Sequence, residues 1–197
     1  MSYRVAGLGD PMTFEAGSNL LLTGNSLDTD ERFLDSISPD ENERTIVITA
    51  NMDVSTIVTE LESRGAEREQ LDVIDCTTTE STPDEYEVRK LNSPGDLTGI
   101  SLEFAKLLEN DEEMQVRVGM SSISTALMYT ELRTLFRFLH VFTSRISSGE
   151  MFGVFAMDPS MHEEQATNTI RAVFDAEAKI DDDGTVSVRG TGYSRAD

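Results

Sequence analysis

The sequence predicts an α/β fold: a three-layer sandwich with a mostly parallel central sheet and an antiparallel hairpin towards its C-terminal end. Three observations carry this reading. Short apolar runs of strand length alternate with longer stretches of helical periodicity, the signature of βαβ units. Glycine and Asp-Pro punctuation closes the runs, as at Gly24, Gly65 and Asp158-Pro159. Near the end, two strand-like stretches flank the turn residues Asp181-Asp-Asp-Gly184.

Taken in order, residues 19–23 form a first central strand ending at Gly24. A short helix over about 28–36 has Phe33, Leu34 and Ile37 as its apolar positions. A second strand at 45–49 leads to a helix over 54–63, with Gly65 in the usual C-terminal capping place. The third strand is 71–76. Residues 77–95, with Thr/Ser/Glu clusters, Pro83 and Pro94, read as a loop holding one small strand near Val88. Asp96 starts a helix whose Leu97, Ile100, Phe104, Leu107 and Leu108 share one face. A fourth strand at 114–120 precedes the longest helix, about 130–147, striped by Leu132, Leu135, Phe136, Leu139, Phe142 and Ile146. The fifth strand is 151–157. Ser160-Met-His-Glu163 fits a capping box, placing the start of the last helix there. Residues 173–180 and 185–189 make the hairpin, and the last few residues are expected to fray. No internal repeat or linker divides the chain, so residues 1–197 read as one domain.

The balance of charge is extreme. There are 37 acidic residues against 16 basic ones, a net charge of −21, and only Lys90, Lys106 and Lys179 are lysines. Such a field repels nucleic acid, so no nucleic-acid partner is expected. Abundant carboxylates with scarce lysine are also the composition expected in a saturated-salt cytoplasm, where screening removes the self-repulsion. The single cysteine, Cys76, excludes an internal disulfide and reads as a core thiol at a strand end. No apolar run is long enough to span a bilayer, and residues near the first methionine, including Arg4 and Glu15, lack a signal-peptide core. The expectation is a cytoplasmic protein without a membrane partner.

Several stretches carry a family resemblance. Gly17-Ser-Asn-Leu-Leu-Leu-Thr-Gly24 looks like a strand running into a phosphate-binding loop. Ser93-Pro-Gly-Asp-Leu-Thr-Gly99, Ser122-Ile-Ser-Thr125, the segment 129–140 and Asp158-Pro-Ser-Met-His-Glu-Glu-Gln165 follow in matching order. Together they resemble the RecA/KaiC-type ATPase core, and in particular KaiC-like proteins of halophilic archaea. The resemblance covers nearly the whole chain and implies a RecA-like sheet with a Walker A loop after the first strand and a Walker B carboxylate after the fourth.

The residues such chemistry needs are replaced. A Walker A loop requires G-x-x-x-x-G-K-[ST], the lysine neutralising phosphate and the hydroxyl ligating magnesium. Counted from Gly24, the second glycine position is Thr29, the lysine position Asp30 and the hydroxyl position Glu31, with Asp28 adding a further carboxylate. Exchanging an attractive for a repulsive charge about 4 Å from a phosphate shifts the interaction by roughly 8 kcal/mol at an effective dielectric of about 20. At the Walker B position stands Ser121, which cannot organise a hard divalent cation as a carboxylate does. Where the resemblance places catalytic carboxylates after the second strand, the chain has Asn51-Met52. The expectation is a pseudo-ATPase with no catalytic residue, cofactor or metal site.

Other constellations are weaker. His140 and His162 are the only histidines and lack ligand spacing, and Asp181-Asp-Asp-Gly184 lacks the alternation of an EF-hand loop. The long helix carries Arg133 and Arg137 off its apolar stripe, read either as salt-bridged surface or as a contact strip for an acidic subunit. The leading expectation is a non-catalytic regulatory or scaffolding domain with a protein partner or self-association. An atypical nucleotide switch or ATPase, and a recombinase accessory factor, stand as alternatives.

Overall fold

The computed structural model describes residues 1–79, 88–109 and 114–195. In chain order the elements are β1 (Ser2–Val5), β2 (Met12–Glu15), β3 (Asn19–Thr23), α1 (Ser26–Ile37), β4 (Glu43–Thr49), α2 (Val54–Ser63), β5 (Leu71–Asp75) and β6 (Val88–Lys90). They continue as α3 (Leu97–Leu108), β7 (Gln115–Met120), α4 (Ile123–Tyr129), α5 (Leu132–Ser148), β8 (Phe152–Met157), α6 (Glu164–Arg171), β9 (Ala176–Ile180), β10 (Val186–Gly190) and β11 (Tyr193–Arg195). Eight strands form the main sheet in the order β10-β9-β3-β8-β7-β4-β5-β6. Every pairing in it is parallel except the β9–β10 hairpin.

The central strands β3, β4 and β8 are buried at every residue because helices cover both faces of the sheet. Their side chains alternate between two cores. Leu21, Ile46, Ile48 and Phe155 pack with Phe104, Leu135, Leu139 and Ile170 from α3, α5 and α6. Leu20, Leu22, Val47 and Val154 pack with Phe33, Ile37, Ile57 and Leu61 from α1 and α2. Gly119 of β7 lets α1 approach closely, since a Cβ there would fall 2.9 Å from both Ile37 Cγ2 and Phe33 Cζ.

A second sheet, β1-β2-β11, closes over the α1 side. The sequence reading has no counterpart for it. Its strands are three or four residues long, and β1 alternates exposed and buried residues, so it carries no continuous apolar run. An aromatic seam holds it down: Tyr3 and Phe14 lie 5.5 and 5.0 Å from the Phe152 ring. The expected fraying at the end is corrected through Arg195, because Tyr193–Arg195 pairs with β2 in antiparallel register.

A buried ion pair locks the same side. Arg117 of β7 bonds Glu43 of β4, and it also donates to Ser36 O of α1 at 3.0 Å and to Arg4 O of β1 at 2.6 Å. Both partners of the pair are almost wholly buried.

One further expectation changes, and one helix is added. The last helix starts at Glu164, because Asp158 Oδ1 accepts from Ser160 N at 2.9 Å and from Ser160 Oγ at 2.6 Å. That contact holds Ser160 in a 3₁₀ turn, so the Ser160–Glu163 capping box does not form. The stretch before α5 contains a separate helix, α4, capped by Ser122 Oγ. Pro83, within the expected loop, lies outside the described residues. Asp96 does cap α3, accepting from Gly99 N at 2.9 Å. Burial pushes the Cys76 thiol up to about 12, in keeping with a core position. Among the described residues no helix is long and apolar enough to cross a membrane.

Candidate functional site

Strand β3 sits between β8 and β9. The chain leaves β3 through α1 on one face of the sheet and leaves β8 through α6 on the other. Such a switch point opens a crevice at the carboxyl ends of the strands, where open α/β sheets bind their ligands. Here the crevice is a cleft of about 170 Å³.

The sequence-predicted residues divide around it. Gly24, Thr29, Asp30, Asn51 and Ser121 all line the cleft. Glu31 is exposed on α1 and lines none of it, Asp28 bonds Asn25, and Met52 packs into the core on the α1 side. Arg133 and Arg137 lie elsewhere, both exposed on α5. Ser124, Thr125, Asp158 and Met161 also line the cleft; their stretches carry the family resemblance in sequence, which assigns them no site role. Their place depends on β7 and β8 ending side by side, which is a property of strand order rather than of local sequence.

Local chemistry explains the shape. The helix expected over about 28–36 begins two residues earlier, at Ser26, and runs to Ile37. Asn25 starts the helix by accepting from Asp28 N at 3.2 Å through its side chain and from Thr29 N at 3.1 Å through its carbonyl. The amides of Asp28 and Thr29 are thereby engaged within the start of the helix. Gly24 packs tightly: a Cβ there would lie 2.9 Å from Thr29 Oγ1 and 3.0 Å from Ile180 O. Thr29 Oγ1 is buried and has no hydrogen-bond partner among the described residues.

Across the cleft, Ser121 Oγ accepts from Ala50 N at 3.0 Å and donates to Asn51 Oδ1 at 2.6 Å. Asn51 also faces Asp30 across the cleft and favours its ionised form. Burial raises the Asp30 pKa above the ordinary 3.8, and the Asn51 side chain partly opposes that rise. Two residues the sequence reading singled out, Asn51 and Ser121, are therefore joined by a hydrogen bond, and Asp30 lines the same cleft. None of the twelve residues lining the cleft is basic. Asp30 and Asp158 are its only carboxylates, and among the described residues no three His, Cys, Asp or Glu side chains gather as a metal site would need.

Residues 17–180 match the profile of a family of unknown function, DUF7504. The chain belongs to that family. Among solved structures, this DUF7504 member resembles a KaiC-like protein from the hyperthermophilic archaeon Pyrococcus horikoshii OT3, with a TM-score of 0.64 at 12% identity over 93% of this chain and 83% of that one. A second Pyrococcus horikoshii OT3 protein gives a TM-score of 0.64 at 11% identity, covering 90% of this chain and 88% of the other. At such identity the likeness is one of fold, and the DUF7504 chain has a KaiC/RecA-like fold. No curated protein matches the sequence.

Proposed function

We propose that this DUF7504 member is a non-catalytic RecA/KaiC-like domain, a regulatory or scaffolding protein that works through protein contacts and has lost ATP hydrolysis. The switch-point cleft carries this reading. Its volume of about 170 Å³ falls below the roughly 300–1,000 Å³ of ordinary ligand pockets. None of its own lining residues is a cation, Arg171 and Lys179 of the adjoining hollow are paired with Glu177 and Asp181, and the half-buried Asp30 takes the place counted in sequence for the Walker lysine. Such a carboxylate repels a phosphate instead of neutralising it. Ser121, at the Walker B position, is committed to Ala50 and Asn51. The net charge of −21 and three lysines support a place in a high-salt, archaeal cytoplasm.

Titration calorimetry with ATP and magnesium in about 1 M KCl tests the reading, at an ionic strength where the Debye length is about 3 Å. The expected outcome is no saturable heat up to millimolar ATP and no phosphate release. Saturable micromolar binding would assign the chain to nucleotide switches instead. A shift with single-stranded DNA at the same salt would favour a recombinase accessory role.

A further inference from the structure

On the face opposite α1, helices α3 and α5 border a groove of about 440 Å³. Its floor is Leu97, Phe138 and Phe142, the two phenylalanine rings stacked 5.2 Å apart. Val141 on its edge is 69% exposed, and Leu102 on α3 is 54% exposed. Basic residues follow the same edge. Arg137, Val141 and Arg145 line the groove at four-residue spacing, and Arg133 continues that inclined ridge one turn earlier along α5, outside the lining.

Among the described residues, none of the three arginines has a carboxylate within ion-pair distance. Arg145 is steadied by the Phe104 ring, 5.5 Å from its guanidinium carbon. On a chain of net charge −21, three arginines without a carboxylate partner among the described residues, beside the exposed Val141 and the half-buried Phe138, mark a local reversal of sign. We infer that this groove docks an acidic amphipathic helix of a separate partner protein, with apolar residues seated over Phe138 and Phe142 and carboxylates facing Arg133, Arg137 and Arg145.

Length favours a helix over a small molecule. The arginine row spans about 18 Å along α5, the length of about three helical turns, and helix-in-groove recognition uses apolar anchors at such spacing. Charge favours a separate partner over a two-fold dimer, because a self-complementary contact would bring each arginine row near its own copy. The inference rests on the reading of this chain as a protein-contact domain. ATP titration tests that reading, and the following experiment tests the groove.

The full chain is titrated against a fluorescein-labelled helical peptide with leucines at i, i+3 and i+7 flanked by glutamates, followed by anisotropy. Saturable binding is expected, with affinity reduced about tenfold or more by R133E/R137E. Replacing the peptide glutamates with lysine abolishes binding to the unmodified chain, a comparison that needs no variant to fold. Absence of saturation, or equal binding of the lysine peptide or of a scrambled leucine/glutamate peptide, overturns the proposal. Light scattering that finds a dimer dissolved by R133E/R137E gives the groove to a second copy and overturns it equally.

Discussion

Asp30 shows what burial does to a carboxylate at a sheet's switch point. Its carboxylate stands half-buried in the cleft, and desolvation lifts its pKa despite the Asn51 side chain. Because the folded pKa exceeds the unfolded one, the folded state holds the proton more tightly. The stability tied to Asp30 is present below pH 3.8 and is lost as pH rises through the folded value. At neutral pH the ionised group is therefore a liability. Asp30→Asn should stabilise the protein in urea unfolding at pH 7, with the advantage shrinking as pH falls towards 3.8. A variant no more stable than the native chain at pH 7 would refute this account. The sequence pattern located Gly24, Thr29, Asp30, Asn51 and Ser121, and the structure brings these five to one cleft. It could not show that Ser121 bonds Asn51 beside Asp30, because those residues come from three separate crossovers.

Elements were legible in proportion to their burial. Strands β3, β4 and β8, covered on both faces, read as unbroken apolar runs, and α2 was bounded as expected because Gly65 follows it with a positive φ of 97°. The short strands β1, β2 and β11 were not legible, since their pairing is decided by an aromatic seam contributed from distant residues. Arg117 was similarly opaque. In sequence it is a charge inside a strand, yet in the fold it binds β7 to β4, α1 and β1. Replacing Arg117 with Met leaves Glu43 buried without its cation, which should cost about 3–5 kcal/mol. The double replacement Arg117→Met with Glu43→Leu removes both charges and should be more stable than Arg117→Met alone. A urea double-mutant cycle measures the coupling, and additive losses would mean that the pair contributes no specific interaction.

For the molecule as a whole, two scales of electrostatics oppose each other. Close pairs such as Arg117–Glu43 and Arg64–Asp35 attract at contact distance, while the net charge of −21 repels across the whole surface. Salt separates them by range. The Debye length falls from about 10 Å at 0.1 M to about 3 Å at 1 M, which removes long-range repulsion but touches a buried pair much less. Added salt should therefore stabilise this chain, against the usual weakening of surface ion pairs. The melting temperature is expected to rise by more than about 3 °C between 0.1 and 1 M KCl, corresponding to about 1 kcal/mol for a chain of this size. Sodium chloride should give the same rise at equal ionic strength, because the effect is one of screening and not of a bound potassium ion. A melting temperature that stays flat or falls would mean that the acidic surface is already balanced within the fold. Its charge would then report on a partner and not on the salt around it.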